Sequence, residues 1–418
     1  MSDIAKRIAA LTPEQRALLE RRLKQKGLDD LIVPGAIQSA SQSSAVPYAQ
    51  REPDLTPVVE SPRPGKALPF SLFFFSDNGA TTGDDKYRLL IEAARFADEH
   101  GFAAVSVPER HFQAFGGLYP NPSVLGAALA MITRRVQIRA GSVALPLHNP
   151  IRVAEEWSVV DNLSKGRVAV SMASGWHPRD FVFAPTAYDD RRALMFEYIQ
   201  LIQRLWAGET ITVPGVQGVE EHITLVPRPI QPKLPIWITT TGTVETWRRA
   251  GEIGANILAT LINQSFDDLR QRIALYRETL ARHGHDPHQG CVTVMLHTFV
   301  GEDNAAIKAL VHAPLRQYLR SFVAQFKTIM TQDIGVDINS ITERDEDVIL
   351  SFACDRYFET SSLLGTPEKC MRVLDRLGTI GVDEIACLID FGLDVDMVMS
   401  GLQHLDRLRA AYCREVVE

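Results

Sequence analysis

Short apolar runs that end in clusters of His, Asn, Ser and Gly, each followed by a helix-like segment, recur along this chain. Between Val107 and Trp176 the pattern repeats three times. One run leads to Glu109-Arg110-His111-Phe112, the next to Leu145-Pro146-Leu147-His148-Asn149-Pro150, and the third to Ser174-Gly175-Trp176. An all-helical or all-β protein has no use for that rhythm. A β/α barrel does, because its chemistry collects where strands end and helices begin.

Extended along the chain, the pattern predicts strands over 70–75, 103–107, 136–145, 168–172, 235–238, 256–261, 292–300 and 384–389. Helical spacing is read over 87–100, 121–133, 150–163, 244–250, 266–283 and 304–326, with a further helix opened by Thr366-Pro367-Glu368. Near-continuous apolar strands suit a parallel sheet buried on both faces. Eight of them favour a closed (β/α)8 TIM barrel, with insertions, over an open doubly wound sheet. The absence of GxGxxG after the first strand argues against a dinucleotide fold.

Residues 1–33 read as an N-terminal helical segment. Thr12 is the N-cap, Pro13 opens the first turn and Gln15 takes the capping-box position. Leu18, Leu19 and Leu23 line one face before Gly27, and the other face is rich in Arg and Lys. The Ser-, Gln-, Pro- and Ala-rich stretch 34–66 is too poor in core-forming residues to fold alone and reads as a flexible linker. The barrel domain is expected over 67–418. A net charge of -7 argues against a nucleic-acid partner. No apolar run reaches the roughly 20 residues of a membrane span, and the start carries no signal core, so a cytoplasmic protein is expected. Five scattered cysteines are read as reduced thiols, with no metal site.

Each strand-end cluster has a chemical and a structural reading. His111 is suited to proton transfer near neutral pH; the structural alternative makes Glu109 with Arg110 an ion pair and His111 a helix cap. Asn149 before Pro150 reads as an N-cap at least as readily as a ligand contact. Gly175 allows close backbone approach, Ser174 suits an anion, and Trp176 offers a flat wall for a planar ring. Thr239-Thr240-Thr241-Gly242-Thr243 reads as a phosphate cradle at a helix N-terminus, with capping by Thr243 as the plainer alternative. The cluster of Asp180, Tyr188, Asp189, Asp190, Arg191 and Arg192 is ordinarily a solvated surface.

Taken together, these segments resemble the luciferase-like monooxygenases, of the bacterial luciferase type. Glu109 to Phe112 is similar to the family's Glu-His-His-Phe region. The segments 145–152 and 161–167 (Asp161-Asn162-Leu163-Ser164-Lys165-Gly166-Arg167), the turn at 174–176, and Leu364-Gly365-Thr366-Pro367-Glu368 follow in order. The resemblance implies a flavin-dependent oxidoreductase in which reduced FMN lies across the C-terminal mouth of the barrel and reacts with O2. The isoalloxazine would lie near Ser142, Val143 and Trp176, with Ser174, Gly175, Thr240, Thr241 and Gly242 completing the cofactor site and its phosphate cradle. His111 would hydrogen-bond or move a proton, and Arg110 would steady developing negative charge. Two departures stand out: Arg110 replaces the first His of Glu-His-His, and Ser174 stands where luciferase has a phosphate-binding Arg.

The sequence pattern of the N-terminal segment is similar to segments that open nonribosomal peptide synthetase modules. A natural-product subgroup of the family is therefore the preferred expectation, with an ordinary tail or dimer-packing helix as the plain alternative. The resemblance implies a separate flavin reductase, a carrier protein or synthetase module met through the N-terminal helix, and a homodimer. The substrate would be a small molecule or carrier-tethered intermediate, with hydroxylation and Baeyer–Villiger insertion both open. The alternatives are an F420-dependent hydride-transfer oxidoreductase on the same barrel and a non-catalytic flavin-binding or docking component of a synthetase.

Overall fold

The structure, a computed structural model, describes residues 68–75, 85–112, 117–261, 264–334 and 343–415. The expected N-terminal helix and linker lie outside them. Eight parallel strands close into a barrel: β1 (Phe70–Phe73), β2 (Ala104–Val107), β3 (Gln137–Ala144), β4 (Val168–Ala173), β7 (Ile236–Thr239), β8 (Asn256–Thr260), β9 (Val292–Val300) and β11 (Glu384–Leu388). Pairing of Phe70 with Ile385 and of Phe73 with Leu388 joins the last strand to the first and leaves no free edge. All eight expected strands are present, and they are short because a tilted barrel wall needs only a few residues per strand.

Helices α1 (Arg88–His100), α2 (Pro122–Ile132) and α3 (Pro150–Ser164) follow the first three strands, and α5 (Val244–Glu252) and α6 (Phe266–Arg282) follow β7 and β8. Their starts are written in the sequence. Asn121 accepts the N–H groups of Ser123 and Val124, and Asn149 accepts that of Ile151, each beside a proline in the first turn. Ser265 and Asp268 form a capping box on α6. Thr243 stands at the N-cap of α5, yet its side chain makes no capping bond.

Several elements lie beyond the periodic reading. Helix α4 (Arg191–Ala207) fills the region after β4, burying Phe196, Ile199, Ile202 and Trp206. The antiparallel hairpin β5 (Ile211–Pro214) and β6 (Glu220–Ile223) is largely exposed and has no apolar run to betray it. Helix α7 (Asn304–Ile334) is longer than expected. It is followed by α8 (Glu343–Thr360), the three-residue strand β10 (Leu363–Gly365) beside β9, and helices α9 (Pro367–Thr379) and α10 (Val395–Glu415). Helix α10 completes the outer ring, where Arg409 Nη2 donates to the His100 carbonyl at the end of α1 (2.6 Å).

The barrel interior is not the uniformly apolar core that the strands suggest. Arg139 and Glu384 form a buried two-pronged pair (2.7 and 3.2 Å) near the N-terminal end. Ser71 Oγ donates to the same carboxylate (2.7 Å), and the guanidinium lies 4.0 Å from the centre of the Trp237 ring. This layer closes the bottom. At the same end, the 161–167 motif is structural: Arg167 donates to the carbonyls of Val136 (2.6 Å), Thr133 (3.0 Å) and Ser164 (2.8 Å). The Asp161 carboxylate accepts the N–H groups of Ile230 (2.6 Å) and Gln231 (2.9 Å). The five cysteines are free thiols.

Candidate active site

The polar residues singled out in the sequence gather at the C-terminal mouth, because each follows a parallel strand. Three hydroxyls meet first. Thr239, at the end of β7, lies within hydrogen-bond distance of Ser142 Oγ (2.5 Å) and Ser171 Oγ (2.6 Å). Ser142 reaches inward at a bulge where the register of β3 against β4 shifts between Gly141 and Val143. Val143 is buried instead among Val153, Trp157 and His148, around a small cavity behind the strand.

Next to the hydroxyls lies the threonine–glycine turn expected from the sequence to cradle a phosphate. Pairing of Met172 with Ile238 carries Ser174 and Thr240 to the same rim on adjacent strands. Ser174 Oγ donates to its neighbour's carbonyl, Gly175 O (3.3 Å), while Thr240 Oγ1 accepts the N–H of Gly242 (3.2 Å). Thr241 is exposed and Gly242 has φ +117°. A residue that the sequence did not single out stands over this turn: a Cβ placed on Gly242 would meet Arg272 Nη1 at 3.0 Å. Arg272 comes from α6 and donates to Gln264 Oε1, and Gln264 in turn donates to the Thr260 carbonyl at the end of β8 (2.6 Å). The turn thus has a guanidinium beside it, although position 174 carries a serine.

On the other side of the mouth, the Glu109 carboxylate is buried. Its Oε1 accepts from Nε2 of His111 (2.8 Å) and Nε2 of His148 (2.6 Å), and its Oε2 accepts the Ala144 N–H (2.8 Å). Burial pushes this carboxyl up, but the two histidines and the amide outweigh it and hold it below the usual range. Burial likewise opposes the charge on His148, yet the Glu109 bond prevails and its pKa is raised. The expected Glu109–Arg110 pairing is therefore replaced by a carboxylate shared between histidines.

Arg110 is 7% exposed, with its guanidinium 4.1 Å from the centre of the Phe75 ring and 6.0 Å from that of Trp176. Burial lowers its pKa, against the charges of Asp180 and Asp390. His111 packs edge-on to Phe183 (4.9 Å between centroids), and Phe112 lies 5.4 Å from the same ring. Phe112, Trp176 and Phe183 are themselves exposed, so the mouth has an aromatic lip. Of the charged cluster after β4, Asp180 belongs here: burial raises its pKa, and its Oδ1 is buried with no hydrogen-bond partner among the described residues. Arg191 instead donates to the Tyr188 carbonyl (2.6 Å), and Asp190 sits at the N-cap of α4.

The comparisons with known proteins agree with this architecture. A family model described as luciferase-like monooxygenase matches residues 68–384. The chain belongs to the luciferase-like monooxygenase family. Among the relatives of this luciferase-like monooxygenase, the alkanal monooxygenase alpha chain of Photorhabdus luminescens is 26% identical over 326 residues, covering 75% of this chain and 88% of the relative. The oxygenase component of the flavin-dependent trigonelline monooxygenase of Acinetobacter baylyi is 23% identical, covering 80% and 93%. The oxygenating constituent of 3,6-diketocamphane monooxygenase from Pseudomonas putida, a type II Baeyer-Villiger monooxygenase solved with FMN, superposes with a TM-score of 0.67 at 19% identity. It covers 83% of this chain and 98% of that one. No helix among the described residues of this family member is long and apolar enough to cross a membrane.

Proposed function

We propose that the chain is the oxygenase of a two-component system that takes reduced FMN from a separate reductase and uses O2 to oxygenate an organic substrate. The observation that carries this reading is the Thr240–Thr241–Gly242 turn beneath Arg272, on the same rim as the Ser142–Thr239–Ser171 hydroxyls and His111. A hydroxyl and a guanidinium converging at a helix start suit a phosphate dianion. The inward hydroxyls suit the polar edge of a flavin ring, and Trp176 suits its face. Bound FMN in reduced form supplies the electrons that activate O2.

The protein's own residues then hold and shield. Ser174, Gly175, Thr240, Thr241, Gly242 and Arg272 bind the phosphate, while Ser142, Val143 and Trp176 bound the ring, Val143 through its backbone. Phe112 and Phe183 keep water from the reacting centre. His111 holds or moves a proton at Nδ1, the nitrogen left over once Nε2 serves Glu109, and Arg110 stabilises negative charge from beneath. The printed name of the trigonelline relative, an oxygenase component, supports a separate reductase.

Equilibrium binding decides the cofactor. Tighter binding of FMN than of F420, together with oxygen uptake on adding reduced FMN, is expected; a clear preference for F420 would replace this reading with hydride transfer. The basic, helix-like sequence pattern of residues 1–33 supports a carrier-tethered substrate and a place in natural-product assembly. Deleting residues 1–60 should abolish turnover of a carrier-bound substrate and spare reaction with free flavin; undiminished turnover would remove the docking role.

A further inference from the structure

We infer that Glu109 binds His111 and His148 into one proton-exchanging unit, linking the barrel mouth to the solvent-facing cavity behind β3. The inference rests on the proposed place of His111 beside the reacting groups. An ionised carboxylate only accepts hydrogen bonds, so both imidazoles donate from Nε2 to the one oxygen, Oε1, at 2.8 and 2.6 Å. Each ring keeps Nδ1 for gaining or losing a proton. The two rings face different surroundings: the His111 side chain is 9% exposed under Phe183, whereas that of His148 is 34% exposed. His148 and Glu109 line a cavity with Asn121, Ser123 and Glu156, on the far side of the strand from the Ser142 hydroxyl.

Two imidazolium charges on one carboxylate oxygen oppose each other's protonation. Protonation of His111 therefore favours deprotonation of His148. Burial opposes a charge on His148, but the Glu109 hydrogen bond and the charges of Glu109 and Glu156 outweigh it and favour the imidazolium there. A proton leaving a reacting group binds His111 Nδ1, and a proton leaves His148 Nδ1 for water in the cavity. The net charge of the three groups is unchanged. The remaining groups facing this unit fit the direction. From α3, Glu156 favours a cation at His148, and is itself held by Arg152 Nε (3.0 Å) and Ser123 Oγ (2.6 Å). From the mouth side, Asp180 lies close enough to feel the charges of His177, His111 and Arg110.

Histidine-detected NMR titration of full-length protein labelled in its imidazole nitrogens tests the coupling without flavin. Glu109→Gln should lower the His148 midpoint by about one pH unit, and His111→Asn should raise it by a similar amount, because one donor leaves the shared oxygen. A His148 midpoint that His111→Asn leaves unmoved overturns the inference, and decides the matter even if Glu109→Gln does not fold. In turnover, Glu109→Gln should alter the pH profile of kcat and leave KM in place, which a purely structural carboxylate would not do. Oxygen uptake by the wild-type protein with reduced FMN tests the oxygenase reading separately.

Discussion

At the scale of single residues, the cradle sets a measurable expectation. Arg272 stands over Gly242, so a phosphate held there gains a charge-assisted contact. Arg272→Ala should weaken FMN binding by about 10- to 100-fold, the equivalent of about 1.5–3 kcal/mol for a hydrogen bond to a charged group. Riboflavin, which lacks the phosphate, should bind both proteins alike; an equal loss for riboflavin would show that Arg272 merely supports the fold. The threonines and glycine were legible in sequence because hydroxyls and a glycine at a strand-to-helix turn carry their own chemistry. Arg272 was not, because it is one of several arginines on an amphipathic helix, and its position over the turn is set by tertiary contacts such as its hydrogen bond to Gln264. Glu109 was legible as a motif member, yet its partner His148 is 39 residues away.

At the scale of elements, β3 carries opposed demands: Arg139 plugs the bottom, while Gly141 and Ser142 shape the mouth. Glu384→Ala leaves Arg139 buried without its partner and should cost about 3–5 kcal/mol, read from the denaturant midpoint. Replacing both residues by methionine should cost markedly less, since no unpaired charge remains. Gly141 tests the upper half. A Cβ there would meet Phe73 Cε2 at 2.6 Å and Ser106 Cβ at 3.1 Å, so Gly141→Ala should destabilise by about 1–3 kcal/mol. An unchanged melting temperature would mean that the Phe73 ring yields freely. Helix starts marked by Asn-Pro were readable from neighbouring residues alone. The β5–β6 hairpin was not, because its exposed strands have no buried face to impose a pattern.

For the whole molecule, the shared carboxylate ties stability to pH. The folded pKa of Glu109 lies below its ordinary 4.5, so its contribution is present above that value and is lost as pH falls through the folded pKa. The folded pKa of His148 lies above its ordinary 6.5, so its contribution is full below that value and is lost as pH rises through the folded pKa. The difference in melting temperature between wild type and Glu109→Gln should therefore be largest between pH 4.5 and 6.5 and shrink on either side. A difference that stays the same well below pH 4.5 and well above pH 6.5 would mean that neither group shifts on folding.

Local order along the chain determined the barrel: each apolar strand, cap and helix is specified within a dozen or so residues, and eight such units have few ways to close. It also placed His111, Ser174 and Thr240–Gly242 at one rim, since parallel strands all end on the same side. What fills that rim was decided by tertiary structure alone. The sharing of Glu109 between two histidines, the arrival of Arg272 over the cradle, the inward turn of Ser142 and the polar plug beneath all depend on strands and helices far apart in sequence. Contacts of that kind leave no periodic trace in the chain, because each is made by a single side chain whose direction is set only when the wall of the barrel closes.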